Sequence, residues 1–344
     1  MSAQDLAEAV VDAPGFTAGD GSTPNTPGSG PRAGGPTPPD GPPPPGDNGP
    51  PPAPGPARPS RPARLAVYLP GAALSLLSVL SLGFASQVAL VSHVRHERAQ
   101  QTAYADFRAE LARATAPVGQ LDPLTNRLFE PGTAMALLDI PSIGVHEVVF
   151  EGTTGGVLED GPGHRRDTVL PGQAGTSVLM GRRASYGAPF RDLDLLASGA
   201  TVTVTTGQGV HTYRVLGVRR AGDLEPPPSV SGGRLVLVTA DGQPFLPDDL
   251  LQVDADQVSE VLAHGPRPLK PTALSPSEVP LAGESEVWTA LLLWGQALTV
   301  AAFGLAWARI RWGRAQAWVV GVPVLAALGL TVADHLVRLL PNLL

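Results

Sequence analysis

Cysteine is absent from the 344-residue chain. That absence excludes disulfide bonds, thiolate metal sites and every thiol mechanism at once. Strong positive charge is absent as well: the formal net charge is -7, and no basic stripe with interleaved aromatic residues is found, so nucleic acid is not expected as a partner. We expect no cofactor and assign no metal ligands.

The N-terminal part of the chain lacks the residues that build a hydrophobic core. Residues 24–62 contain no Ile, Leu, Val or aromatic residue, although nearly half of the chain's 38 prolines fall there. Such a segment cannot bury enough apolar surface to offset the entropy lost on ordering. We predict that residues 1–64 form a disordered, Pro/Gly-rich cytoplasmic tail. It is either a bare spacer or a Pro-rich ligand for an SH3-like or WW-like partner.

Three uncharged runs predict transmembrane helices. Residues 65–92 contain no charged residue and exceed the roughly 20 residues needed to cross a bilayer. A cleaved signal peptide would lie at the extreme N-terminus, whereas 64 residues precede this run, so we predict an uncleaved anchor. Residues 287–308 and 315–333 are the second and third predicted spans.

Arginines next to the spans predict the topology. Short loops rich in arginine stay cytoplasmic, and arginines both precede the first span and crowd the turn between the second and third. The predicted order is therefore tail inside, middle domain outside, turn inside and C-terminal end outside. Ionisable residues at the end of the third span are interpreted as interfacial side chains that snorkel to water. The residues concerned are Arg58, Arg61, Arg64, Arg309, Arg311 and Arg314 for the loops, and Asp334, His335 and Arg338 for the span end.

The region between the spans changes from helical to strand periodicity. Residues 93–133 are predicted to form a helical stalk and linker, because Ala103, Phe107 and Leu111 recur at helical spacing. From 134 to 263 short alternating runs are punctuated by Gly and Pro, which predicts a closed β-barrel or a sandwich outside the membrane. Residues 264–286 are expected to be a Pro-rich tether.

Five short motifs in this region carry a family resemblance. They are "LDIPSIGV" at 138–145, "GPGH" at 161–164, "LPGQAGTSVLMG" at 170–181, "YGAPFRDLDLL" at 186–196 and "LVLVTADG" at 235–242. In this order they resemble a sortase, most closely the class E group of actinobacteria. The resemblance implies a mainly β protein with a sortase-like eight-stranded β-barrel, here combined with one N-terminal and two C-terminal transmembrane helices. Sortases are cysteine transpeptidases that cut a sorting signal and join proteins to the cell wall.

The same resemblance implies where the catalytic residues should be. The family cysteine ends the strand that reads "LVLVTA", so its position is Ala240. The family histidine follows a glycine after a hydrophobic strand, which gives Arg182. The family arginine lies just before the last strand, which gives Asp249, or Asp248 if the loop differs in length. All three residues are replaced, so we assign no catalytic residue and expect the sortase mechanism to be lost.

Other side chains near these positions are considered as substitutes. Successive strand residues point to opposite faces, so Thr239 should face the core beside Ala240. Ser177 and Ser185 flank the "GRR" triplet without an obvious base, and we assign no catalytic role to His164, His146 or His211. The groove candidates are Thr239, Asp241, Arg183 and Asp248.

Opposite charges at two of the replaced positions predict an ion pair. Arg182 would reach over Ala240 to Asp249 or Asp248 and close the groove. The alternative is that both side chains point into solvent.

Three functional hypotheses follow. The first is a catalytically inactive sortase homologue in the cell membrane, with partners that are a cell-envelope peptide or protein, a wall component or an active sortase. The second is a transpeptidase or hydrolase that uses an unconventional residue. The third is an envelope-sensing adaptor whose Pro-rich tail recruits a cytoplasmic partner.

Overall fold

The computed structural model describes residues 80–87, 91–123, 125–243, 246–311 and 314–344, together with residues 41, 74, 77 and 78. Nearly all of the predicted tail and much of the first predicted span lie outside these residues. Residues 80–86 of that span are helical.

Eight strands close into a barrel, as predicted. They are β1 (Ala134–Ile140), β2 (Val145–Glu151), β3 (Gly163–His164), β4 (Gly175–Met180), β5 (Thr201–Thr206), β6 (Gly209–Arg219), β7 (Gly233–Gln243) and β8 (Leu246–Gln257). The order around the barrel is β1-β2-β3-β4-β7-β8-β6-β5, and β5 pairs with β1 to close it. The pairs β2–β3 and β4–β7 are parallel. The short helix Gly155–Asp160 lies in the connection from β2 to β3, whereas β5 and β6 lie between β4 and β7 in the chain.

The barrel core is built from alternate residues of the strands. On β7, Leu235 and Leu237 join the main core cluster with Leu251 and Val253 of β8. The intervening residues of β7 belong to a second apolar cluster on the other face of the sheet. Because side chains alternate along a strand, β7 is buried on both faces from Gly233 to Ala240. Val236, Val238 and Ala240 lie on the outer face, which other segments cover.

Two helices pack outside the barrel. Helix α1 (Ser92–Arg113) ends where Ala114 adopts a left-handed conformation, with φ of 54°. Its Phe107 is buried, and its Gln100 side chain hydrogen-bonds to Val148 of β2 and to the Asp160 carbonyl. The short helix α2 (Gly155–Asp160) begins at Thr154, whose hydroxyl accepts from the Val157 N–H. The predicted stalk helix therefore lies against the barrel wall.

The C-terminal part of the chain forms a pair of long apolar helices. Helix α3 spans Val287–Arg311 and helix α4 spans Arg314–Arg338. Within them, Val287–Leu305 and Trp318–Arg338 are long and apolar enough to cross a membrane. These are the second and third predicted spans.

The segment between the barrel and α3 is docked on the barrel. It contains two 3₁₀ turns, Pro271–Ala273 and Pro276–Glu278. The Thr153 hydroxyl donates to the Glu278 carbonyl at 2.7 Å, and Arg267 donates to the Asp167 carbonyl at 2.6 Å. The segment expected to be a tether is thus fixed along the outside of the barrel.

Candidate functional site

Ala240 lies at the end of β7, on the outer face of the barrel wall. Only 3% of the residue is exposed, and it lies opposite Leu250 of β8. Its apolar neighbours in the second cluster include Leu158, Met180, Val238 and Leu343. The position that the resemblance gives to a nucleophile is therefore a methyl group in a covered apolar surface.

Arg182 follows β4 and is one of the most deeply buried side chains in the described part of the chain, at 1% exposure. It donates from Nε to the Leu158 carbonyl at 3.1 Å and from Nη2 to the Gly155 carbonyl at 2.8 Å. Its third donor, Nη1, reaches the Ser185 hydroxyl at 3.2 Å. The guanidinium also lies 4.8 Å from the centre of the Tyr186 ring. Arg182 thus fixes α2 and the loop after β4 to each other.

The Arg182 guanidinium cannot act as a base at this position. Burial lowers the pKa of Arg182, while the nearby Glu159 carboxylate acts in the opposite direction. A guanidinium has no acceptor atom and stays protonated in proteins. It therefore cannot remove a proton from a nucleophile, which is the task that the resemblance gives to a histidine at this position.

The predicted ion pair between Arg182 and Asp249 or Asp248 is wrong. The side chain of Arg182 donates to α2 and to Ser185, so it neither crosses Ala240 nor points into solvent. Asp249 lies opposite Asp241, not opposite Ala240, and its carboxylate accepts from the Leu250 N–H at 2.7 Å. The register around a bulge at Asp241–Gly242 decides which β8 residue shares a face with Ala240, and that residue is Leu250.

Arg183, not Arg182, forms an ion pair beside Ala240, and its partner is Asp241. Arg183 Nη1 donates to the Asp241 carboxylate and to the Ala240 carbonyl, each at 3.0 Å. Arg220 reaches the other oxygen of Asp241 at 2.9 Å. Burial alone would raise the pKa of Asp241, but the Gly242 N–H and the two arginines outweigh it, so the pKa is lowered. Two of the groove candidates, Arg183 and Asp241, are therefore brought together.

The hydroxyl groups of Thr239 and Ser185 are engaged in structural hydrogen bonds. Thr239 faces inward, as predicted, and donates to the Gly181 carbonyl at 2.8 Å. Ser185 accepts from Arg182 and donates to the Leu344 carbonyl. Ser177 is buried at 1% exposure. A hydroxyl needs an adjacent base to become a nucleophile, and neither the Gly181 carbonyl beside Thr239 nor the Arg182 guanidinium beside Ser185 is one.

The histidines considered as substitutes are held elsewhere. His164 is fully buried between the Glu151 carboxylate, 2.8 Å from Nδ1, and the Val169 carbonyl, 2.9 Å from Nε2. His146 is exposed beside Asp139, and His211 of β6 is buried against Thr206 of β5. These contacts are those of structural side chains on the barrel wall.

Sequence reasoning missed the segment that covers Ala240. After α4 the chain turns back, and Asn342, Leu343 and Leu344 are buried on the barrel at 1%, 0% and 3% exposure. The Arg183 N–H donates to the Leu343 carbonyl at 3.0 Å. The only sequence signal is the short apolar run "LLPNLL" after Arg338, which by itself is indistinguishable from the end of a span.

Sequence reasoning also missed a buried charge cluster beside the site. The Glu159 side chain is 2% exposed and lies 3.4 Å from Arg95 of α1 and 3.5 Å from Arg338 of α4. Arg95 and Arg338 both pair with Asp334 as well. Burial raises the pKa of Glu159 to about 6, while Arg338 and Arg182 act in the opposite direction. Asp334 and Arg338, interpreted above as snorkelling side chains, thus have protein partners.

Comparisons with known proteins agree with the barrel. A family model described as Sortase domain matches residues 138–245. Among curated proteins, Sortase D of Bacillus subtilis is 33% identical over 87 residues, which are 25% of this chain and 42% of that protein. Sortase SrtE1 of Streptomyces coelicolor is 32% identical over 128 residues, which are 32% of this chain and 36% of that protein. The chain therefore spans less than half the length of these curated relatives.

Solved structures are similar to part of the chain. Sortase E from Streptomyces avermitilis is 31% identical, covers 38% of this chain and 91% of its own, and gives a TM-score of 0.33. A Clostridium perfringens Sortase D5 transpeptidase is 23% identical, covers 48% of this chain and 99% of its own, and gives a TM-score of 0.37. The family match thus identifies a Sortase domain within residues 138–245 of this chain.

Proposed function

We propose that this chain is a catalytically inactive sortase homologue, held in the cell membrane, whose barrel binds a cell-envelope peptide or protein. The partner is a sorting-signal peptide, a wall component or an active sortase. The observation that carries the proposal is Ala240, at the nucleophile position of a chain without cysteine. A sortase mechanism also needs an acid or base and a donor to the oxyanion. At the histidine position the Arg182 guanidinium cannot accept a proton, and at the arginine position the Asp249 carboxylate cannot donate to an oxyanion.

The alternative of an unconventional nucleophile has little support. Ser185 is the hydroxyl most closely associated with the site, but it accepts from the Arg182 guanidinium and donates to the main-chain oxygen of Leu344. Thr239 faces away from Ala240. The third hypothesis, a sensing adaptor, depends on the Pro-rich tail, which lies outside the described residues apart from Gly41.

The proposal is tested by asking which part of the chain holds the partner. The intact chain, purified in detergent, is compared with a variant whose residues 1–63 are replaced by a Gly/Ser linker of equal length. Both are used to capture components of a cell-envelope extract. We expect both to retain the same envelope component, because the barrel is unchanged. Loss of that component from the linker variant alone would favour the adaptor hypothesis.

A defined topology belongs to the proposal. Arg338 and Asp334 at the end of α4 contact Glu159 and Arg95 beside the barrel. The turn between α3 and α4 lies at the opposite end of helices that are 25 residues long, about 37 Å at 1.5 Å per residue. These contacts support a barrel and a C-terminal end on one side of the membrane, with the arginine turn on the other.

The topology is tested with reporter fusions. Fusions after about residues 20, 200, 312 and 344 are expected to report inside, outside, inside and outside, because arginine-rich short loops remain cytoplasmic. A fusion in the exposed loop before β7 serves as a second external control. An external signal at residue 312 would overturn the orientation.

A further inference from the structure

We infer that residues 341–344, the closing segment, are an internal ligand of the barrel that occupies the face carrying Ala240 and excludes any other peptide until it leaves. The inference concerns the occupancy of this face. It goes beyond the proposed function and holds whether or not the barrel has an external partner.

The apolar contacts between the closing segment and the barrel centre on Leu343. This side chain is completely buried in the cluster formed by Leu158 of α2, Met180 of β4, and Val236, Val238 and Ala240 of β7. Full burial of a leucine side chain is favourable because it removes apolar surface from water. Without Leu343, the methyl group of Ala240 and its neighbours would form an open apolar patch.

The polar part of the contact fixes one register of the segment. The Asn342 side chain donates to the Thr153 carbonyl at 2.9 Å and to the Val279 carbonyl at 3.1 Å. The Asn342 N–H donates to the Ala282 carbonyl at 3.0 Å. The barrel in turn binds the backbone of the segment, through the Arg183 N–H to Leu343 and the Ser185 hydroxyl to Leu344. A segment that rested on the surface by apolar contact alone would lack these donors and acceptors.

Two of the groups that bind the segment adjoin the position of the missing histidine. Arg182 holds Ser185 and α2 in place, and Arg183 joins the Ala240 carbonyl, Asp241 and the segment. The "GRR" triplet is thus used to build a binding face for the segment.

The segment is connected directly to α4, which gives it an advantage over a free peptide. Only Leu339 and Leu340 separate it from Arg338 at the end of the helix. A ligand on such a short linker has an effective concentration of about the millimolar range or higher. The Arg338 carbonyl also accepts from the Glu284 N–H of the connecting segment, and the Arg338 side chain lies 3.5 Å from Glu159 of α2, so the helix end is fixed beside the barrel. Occupancy is therefore coupled to the position of α4 relative to the barrel.

The absence of cysteine provides a clean test. In the intact chain in detergent, Ala240→Cys creates a single thiol, whose rate of maleimide labelling reports how far the face is covered. Val230→Cys, at a fully exposed position of the β6–β7 loop, is the matched control. We expect Ala240→Cys to label at least about 10-fold more slowly than Val230→Cys, and adding Leu343→Asp to Ala240→Cys to raise its rate at least about 10-fold.

Two further variants, each combined with Ala240→Cys, distinguish release of the closing segment from a folding defect as the cause of faster labelling. Leu343→Met should keep the introduced thiol protected, because methionine fills a similar volume. Asn342→Ala should raise the labelling rate several-fold without placing a charge in the apolar cluster, and it decides the matter if Leu343→Asp does not fold.

Two outcomes would overturn the inference. One is that the Ala240→Cys variant, with no other change, labels as fast as the Val230→Cys control. The other is that the introduced thiol stays protected in both double variants, in which Ala240→Cys is combined with Asn342→Ala or with Leu343→Asp, although both are folded. The labelling rates measure only access to the introduced thiol. Rapid labelling would therefore contradict the inferred occupancy without affecting the proposed function, and enzymatic turnover would contradict the proposed function without affecting the occupancy.

Discussion

Replacing Arg182 by methionine is expected to lower the free energy of unfolding by about 3 kcal/mol, because it removes a buried, charged donor from several carbonyl and hydroxyl partners. The carbonyls of Gly155 and Leu158 and the hydroxyl of Ser185 would each lose a hydrogen bond. Glu159 would also lose one of the positive charges that oppose the rise in its pKa. Helix α2 should therefore open more readily.

The neighbouring arginine provides a matched control for that substitution. Arg183 is 22% exposed and its ion pair with Asp241 is near the surface, so Arg183→Met is expected to cost about 0 to 1 kcal/mol. Unfolding of the intact chain in detergent, followed by hydrogen exchange of the barrel amides, measures both variants. Equal and small losses for the two would contradict the structural role given to Arg182.

Much of the barrel could be predicted because its signals are local. The alternation in "RLVLVTA" identifies β7, and the same period of two places Thr239 and Ala240 on opposite faces. Thr239 is inward and bonded to the Gly181 carbonyl, as that period requires. The two apolar helices at the C-terminal end are likewise readable from composition and length.

The failed ion pair shows where local signals end. Counting residues reaches Asp249, but a bulge at Asp241–Gly242 sets Leu250 opposite Ala240. A shift of one residue transfers a side chain to the other face of a strand, and spacing in sequence does not reveal the bulge. The partners of Arg182 were missed for a related reason: they are backbone carbonyls of a short helix earlier in the chain, which present no charge or motif to find.

The closing segment is a long-range contact of the same kind. Leu343 belongs to the same apolar cluster as Leu158 and Ala240, although these residues are far apart in sequence. Nothing in the sequence "PNLL" distinguishes the closing segment from a frayed helix end. The predicted stalk is a milder case, since helical periodicity located Phe107 correctly but not the barrel wall on which α1 packs.

If the barrel has lost the sortase reaction, as we propose, the loss is complete. The family mechanism needs a thiolate, an acid or base and an oxyanion donor together. Here the positions hold Ala240, the buried and protonated Arg182, and Asp249. Restoring one of the three should not restore the reaction, because the others remain absent and the closing segment covers the site.

The most direct measurement is turnover of an LPXTG-type sorting-signal peptide with an amine acceptor, followed by mass spectrometry, for the intact chain and for Ala240→Cys. We predict no cleavage and no transfer above the peptide alone in either case, and no effect of thiol-directed inhibitors on the unchanged chain. Ser177→Ala, Ser185→Ala and Thr239→Val assign any signal that appears. Turnover by the unchanged chain would contradict the account, and its loss in one of these variants would identify the unconventional nucleophile.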